Sequence, residues 1–352
     1  MGLFIGYCAR AFHPDTVHWG ARWARATQTR LPPASDGSTQ GTTGKVSLSG
    51  RRTTVRGEHR TTQAFGGPWT ILKLATLERY LAAYGKVFAR QPHRLVYIDA
   101  FAGDGHVTVG TDEKTQQMEW WPQPGRREIS GSAEIAFRQA RIDSFLFIEL
   151  KRRHAENIRK LAESRKNPAA VVQVRTGDCN PILPEFLATF DPANSRGLAF
   201  LDPFGMQLTW DTLSTVAGVP GLDVWYWFSL EGVLRQAPRS RVKMTPDKQG
   251  SLERILAPTV WQRLYRSTPT LFADQGYEPS AQRVLWPEVV RVVTSELRTL
   301  FAEVLEPRIF YDKNTPRFAL YFAMTNPHPR ARKIATDIAG HLLKHSLSPS
   351  KT

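Results

Sequence analysis

The stretch RLVYIDAFAGDG, residues 94–105, decides the fold. Its opening positions form an apolar run without alternation, the pattern of a strand covered on both faces, and the run closes on Asp99. A Gly-rich turn follows, in which Gly103 and Gly105 let the backbone pass close to a ligand before a helix begins. A dinucleotide fingerprint would want a third Gly three residues after Gly105, where Thr108 stands, and would not put an acid at the strand end, so NAD is disfavoured. A Walker A loop is absent too, because Gly44-Lys45 is followed by Val46 in a low-complexity stretch. An acid closing the strand before such a turn suits a ligand with a cationic amino-acid end. The alternative is a tight strand-to-helix turn that binds nothing.

Working outward, strand-like runs recur downstream in SFLFIEL, AVVQVRTGD, GLAFLDPFG and LDVWYWFSL, separated by helix-like segments such as KRRHAENIRKLAESR and CNPILPEFLATF. Upstream, WTILKLATLERYLAAYGKVF carries Ile71, Leu74, Leu77, Leu81 and Tyr84 at helical spacing and should end near Gly85. Alternating strand and helix predicts an α/β, Rossmann-like domain with right-handed crossovers and helices on both faces. WPEVVRVVTSELRTLFAEVL reads as a further helix, and PRIFYDKNTPRFALYFAMTN as a C-terminal antiparallel hairpin. The whole predicts a seven-stranded, mostly parallel sheet with one antiparallel strand at its edge. The domain should span 63–343, with inserts near 106–130, expected as a loop over the pocket, and 231–277, a candidate lid. Residues 1–62 read as a basic, disordered extension and 344–352 as a flexible tail. Residues 32–62 are rich in Gly, Ser, Thr and Arg and poor in large apolar groups. The readings for the stretch before them, with Trp19 and Trp23, are a short docking helix, a disordered tail or upstream sequence from a wrongly chosen start codon.

Three further segments bring chemistry to the ends of these strands. Glu149 ends FIEL, where a carboxylate can take both ribose hydroxyls; the alternative is a surface acid paired with Lys151 or Arg152. Asp178 in TGDC is placed to accept from an adenine amino group, or else caps the helix that follows. S-adenosylmethionine (SAM) has a cationic amino-acid end, a ribose and an adenine, in keeping with acids at Asp99, Glu149 and Asp178. LAFLDPFG delivers Asp202, Pro203, Phe204 and Gly205 to the edge where ligands bind in open α/β sheets. There Asp202 and the Pro203 carbonyl can accept from the N–H groups of an amine and aim its lone pair, while Phe204 can stack on a planar base. The alternative is an Asp-Pro turn with Gly at its left-handed position. The aromatic run Trp225, Tyr226, Trp227 and Phe228 is expected mostly in the core.

Composition narrows the classes. The chain has 352 residues with 41% hydrophobic and 22% charged residues, ordinary globular usage, and no run of 18 apolar residues to cross a membrane. Its start lacks a basic leader and a cleavage site, so a cytoplasmic setting is expected. Two cysteines, Cys8 and Cys179, cannot build a disulfide framework or a Cys-rich metal site, and no metal site is expected. The net charge of +15, of which +6 lies in residues 1–62, favours a polyanion such as nucleic acid.

At these four elements the chain resembles the class I SAM-dependent methyltransferases, and more narrowly the three-Cys-motif partner protein family, TcmP. The resemblance covers roughly residues 70–343. It rests on Thr70-Ile71-Leu72-Lys73, YLAAY, YIDAFAGDG, Gly131-Ser132, FIEL, Gly177-Asp178, LDPFG and YFAMTNPHPRARKIATDI. It implies that Asp99, Phe101, Gly103 and Gly105 line the methionine part of SAM, Glu149 the ribose and Asp178 the adenine. Asp202, Pro203 and Phe204 would face the methyl acceptor. LDPFG also looks like the DPPY-type signature of amino methyltransferases acting on nucleic-acid bases. It departs where Phe204 replaces a second Pro and Gly205 an aromatic; Asp104 stands at a turn position where Pro is common in the family. The expected activity is metal-free, in-line methyl transfer from SAM to an amino nitrogen, with a nucleic-acid base as acceptor. One rival is a catalytically silent SAM-fold subunit that binds nucleic acid or a three-Cys-motif protein encoded nearby; another is a small-molecule methyltransferase. The family name implies that three-Cys protein as partner, and this two-cysteine chain does not contain the motif.

Overall fold

A computed structural model describes residues 68–111, 125–267 and 281–345 of the chain. The extension expected over 1–62 and nearly all of the tail expected over 344–352 lie outside the described residues.

The chain enters through α1 (Pro68–Val87), and β1 (Arg94–Asp99) follows with every residue after Arg94 buried. After the Gly-rich turn come β2 (His106–Thr111), β3 (Gly125–Ser130) and the short α2 (Ser132–Phe137). Strand and helix then alternate as expected through β4 (Ser144–Glu149), α3 (Arg152–Leu161), β5 (Val171–Thr176), α4 (Cys179–Leu187), β6 (Ser195–Leu201), α5 (Trp210–Ala217) and β7 (Leu222–Phe228). Beyond them lie α6 (Leu230–Gln236), α7 (Pro246–Ile255), β8 (Tyr265–Ser267), β9 (Ala281–Arg283), α8 (Trp286–Leu300), β10 (Glu303–Val304), β11 (Arg308–Asp312), β12 (Thr315–Met324) and α9 (Pro329–Lys344).

The main sheet has the order β5-β4-β1-β6-β7-β12, with β10 and β11 both on the far side of β12. The five strands from β5 to β7 are parallel. β12 runs against all its neighbours. β10 and β11 are successive pieces of one margin: Val304 sits opposite Ala323, the Leu305 N–H still donates to the Phe322 carbonyl (3.0 Å), and pairing resumes at Arg308 opposite Leu320. The break falls at Pro307, which has no N–H to give. Counted by position, the sheet is the expected seven-stranded one, of class I methyltransferase type, with its C-terminal hairpin. The antiparallel strand, however, is not at the edge. Residues 319–324 of β12 are buried throughout, as a strand covered on both faces must be, whereas β11 is only partly buried and takes the margin. At the opposite margin the Arg159 guanidinium donates to the Val174 carbonyl of β5 (2.9 Å).

The sheet divides the core in two. Val96 and Ile98 of β1 pack on one face with α4 to α8, and Leu95 and Tyr97 on the other with α1, α2, α3 and α9, as the two-residue period of a strand requires. Trp225, Tyr226, Trp227 and Phe228 are all core. The inserts differ from the loops expected of them. The described ends of 106–130 pair as an antiparallel hairpin, from His106 opposite Ser130 to Thr111 opposite Gly125. Val107 and Val109 alternate toward the core, so the segment carries a strand pattern of its own. In 231–277, Leu252, Ile255, Leu256, Val260, Trp261 and Leu264 are buried, which makes the described part of this segment a wall of the core.

Candidate active site

β1 neighbours both β4 and β6, and the connections leave it in opposite directions, opening a crevice at the carboxyl ends of the strands. Asp99, the last residue of β1, faces Phe147 and Phe200 in register. It is fully buried. The Tyr97 hydroxyl and the Phe101 N–H donate to its two oxygens, each at 3.2 Å. Burial pushes this carboxyl up to about 7, helped by the charge of Asp202 and opposed by hydrogen bonds from Ser132, Phe101 and Tyr97.

The turn after Asp99 is built on two left-handed glycines that do different things. Gly103 has φ 65°, and a Cβ there would meet nothing within 4 Å. Its N–H donates to Glu149 Oε2 (2.9 Å), which ties the turn to the end of β4. Gly105 has φ 89°, and a Cβ there would fall 2.1 Å from Leu161 Cδ1. The space it leaves is therefore filled by α3, and its carbonyl accepts from the Gly131 N–H at 2.8 Å. Phe101 is half-buried against the core.

Glu149, at the end of β4, is largely withdrawn from solvent. Its Oε1 accepts from the backbone N–H of Lys151 (2.8 Å), His154 Nδ1 lies 3.6 Å away, and the side chain is 12% exposed. Asp178 is exposed and caps α4: its Oδ1 accepts from the N–H and the side-chain amide of Asn180, both at 2.9 Å. Asp178 is thus the cap of α4, as the alternative had it. Asp178, Glu149, Asp99 and Asp202 stand at the ends of four adjacent strands, a span of about 14 Å at ~4.8 Å per strand.

Asp202 forms an ion pair with Lys73 of α1, a residue to which sequence reasoning gave no role. Lys73 is buried, and its ammonium also lies 4.8 Å from the centre of the Trp227 ring. The signal was present: Lys73 stands four residues before Leu77, in phase with a stripe that is otherwise apolar. The ammonium engages the Oδ2 oxygen of this carboxylate. Pro203 is buried, while Phe204 is 69% exposed, the most exposed aromatic side chain among the described residues. Gly205 has φ 68° with nothing within 4 Å of a Cβ. Open space therefore flanks both Gly103 and Gly205, on either side of the buried Asp99. No cluster of three or more metal-ligating side chains occurs among the described residues.

No family model and no curated protein matches the chain. Among solved structures it is similar to a Legionella pneumophila protein of the DUF519 family (13% identity, 80% of this chain, 93% of that one, TM-score 0.43). It is also similar to Trm1 from Pyrococcus horikoshii, solved with S-adenosyl-L-methionine (12%, 78% and 59%, TM-score 0.36). A third is the putative methyltransferase yhhF from Escherichia coli (11%, 70% and 87%, TM-score 0.30). The fold assignment stands on the strand order itself. No helix among the described residues is long and apolar enough to cross a membrane.

Proposed function

We propose that this chain is a SAM-dependent methyltransferase acting on an amino nitrogen of a nucleic-acid base, and that it is a relative of the three-Cys-motif partner proteins. The observation that carries the reading is the meeting, at one sheet edge, of a buried acid, an open glycine turn and an Asp-Pro-Phe-Gly loop with its aromatic ring exposed. SAM, with its ammonium, ribose hydroxyls and adenine amino group as donors, fits the carboxylate acceptors present. Asp99 would face its ammonium, the space beside Gly103 its amino-acid backbone, Glu149 the ribose and Asp178 the adenine. Phe101 and Gly105 would support the turn. When bound, the cofactor supplies an electrophilic methyl group.

The remaining work belongs to the chain. Lys73 holds Asp202 in one orientation, so that Oδ1 and the Pro203 carbonyl accept the N–H groups of an incoming amine and aim its lone pair. Phe204 offers a face on which a base stacks, and Gly205 leaves the approach open. Neither step needs a covalent intermediate on the enzyme.

The Lys73–Asp202 pair also favours a second reading, a silent SAM-fold subunit that binds nucleic acid or a three-Cys-motif protein, since an acid already paired with a buried lysine can be purely structural. Incubating the protein with methyl-labelled SAM and mixed DNA, RNA and cell extract separates the two. Label in polymer supports the first. Label only in small molecules, or none, overturns it.

A further inference from the structure

We infer that the arginine-rich surface between β7 and α8 holds the phosphate backbone of a nucleic-acid strand whose base reaches Phe204. This deepens the base-methyltransferase reading and rests on it. From residue 239 to residue 291 the chain carries nine Lys and Arg against five Asp and Glu, and seven of the nine are Arg.

The fold gathers several of these in one place. Arg283 donates its N–H to the Arg239 carbonyl (2.7 Å), Ser240 bridges to Gln282, and Arg266 stands opposite Gln282 in the β8–β9 pair. A cavity of about 360 Å³ is lined by Arg266, Arg283 and Arg291 with Glu288. Glu288 takes both Arg266 and Arg291, each at 2.8 Å, and both arginine side chains are 71% exposed. One carboxylate cannot neutralise two guanidinium groups, so the mouth of the cavity stays positive. Arg241 lies over the Trp261 ring at 5.5 Å, a contact that uses the face of the guanidinium and leaves its edge donors for an oxygen. Arg283 has a structural duty instead, donating to the Leu234 carbonyl and, at 2.8 Å, to the Ala237 carbonyl at the end of α6.

That helix links the patch to the reacting loop. The first turn of α6 rests on Met206, since a Cβ on Gly232 would come within 2.9 Å of Met206 Cγ, and Met206 follows Gly205 directly. From Gly232 to Gln236 the helix rises about 6 Å, and three further residues lead to Arg239, a separation of a few nucleotides at most. A basic track beside an exposed aromatic is what a single strand or an extruded base requires. The dominance of Arg over Lys favours phosphate oxygens, which the planar fork grips in pairs.

The test is fluorescence anisotropy of end-labelled, mixed-sequence single-stranded RNA and DNA with the full chain across a salt series. Two double variants, Arg239→Gln/Arg241→Gln and Arg266→Gln/Arg291→Gln, and their combination are compared with Lys86→Gln/Arg90→Gln/Lys333→Gln/Lys344→Gln, which removes four charges from α1, α9 and their ends on the other face of the sheet. Melting and SAM titration confirm that each variant is folded. The combined patch variant should bind at least about tenfold more weakly at low salt, with the salt slope reduced by up to about three, while the control stays near wild type. Nucleic acid bound equally well by patch variant and wild type would overturn the inference and leave the base-methyltransferase reading standing. Equal losses in patch and control variants would reduce the effect to bulk charge and overturn the inference alone. Wild type that binds neither polymer but binds a polyglutamate probe would overturn both.

Discussion

At the residue scale, the ion pair between Lys73 and Asp202 separates chemistry from architecture. Asp202→Ala should keep SAM affinity, because the acids assigned to the cofactor stand on other strands, while methyl transfer falls roughly a hundredfold, about 3 kcal/mol. It should also lower the melting temperature, since it leaves a buried ammonium without its partner, a loss of up to about 3–5 kcal/mol. Lys73→Met/Asp202→Ala should recover much of that stability and none of the activity, and the coupling is read from melting of the four proteins in the cycle. Full transfer by folded Asp202→Ala would remove the acid from the mechanism.

Asp99 gives a pH signature. With its carboxyl raised to about 7 by burial, SAM affinity should climb as pH rises from 6 to 8, because a cationic ligand needs the ionised acid. Stability should run the other way. A carboxyl whose folded value exceeds its unfolded value stabilises fully below the unfolded value, near 3.9, and that contribution is lost as pH rises through about 7. Asp99→Asn should therefore melt higher than wild type at pH 8, by no more than about 4 kcal/mol of stability, and match it near pH 4. Asp223, raised to about 6 by burial, shares the wild-type trend but is common to both proteins, so their difference isolates Asp99.

At the scale of elements, the three glycines of the crevice should part company. Each sits at positive φ, so Ala costs roughly 1–2 kcal/mol at any of them. At Gly103 the added methyl enters open space, and the expected result is lost SAM binding with that modest fall in stability. At Gly205 SAM binding should survive and transfer should drop. At Gly105 the methyl meets Leu161, so stability should fall by a further ~1–3 kcal/mol. Calorimetric SAM titration and melting of the three variants check the order.

The legibility of the elements follows the same logic. β1, β4, β6 and β7 announce themselves because strands buried on both faces are continuous apolar runs. The 106–130 hairpin was hidden by a short valine alternation next to a polar stretch, and the buried helices of 231–277 by charges on their outer faces. The exchange of places between β11 and β12 depends on pairing across the sheet, which no local pattern encodes. Glu149 and Asp99 are legible as strand-end acids from position alone; the pairing of Lys73 is not, because its partner is 129 residues away.

At the scale of the whole molecule, the two hydrophobic cores draw on described elements from α1 to α9. Removing residues 1–62 should therefore leave cooperative melting and SAM affinity unchanged, while nucleic-acid binding weakens and loses salt sensitivity, since +6 of the charge goes with them. A large fall in melting temperature would show that the extension is part of the folded unit.

The two margins of the sheet carry a consequence for how the protein behaves in company with itself. An open strand edge invites another chain to add to it, and a large, mostly parallel sheet would be expected to self-associate. Here one margin is cut short at Pro307, and at the other a guanidinium from α3 occupies a carbonyl of β5. With each ladder interrupted, edge-to-edge pairing with a second chain finds no continuous template along these described margins.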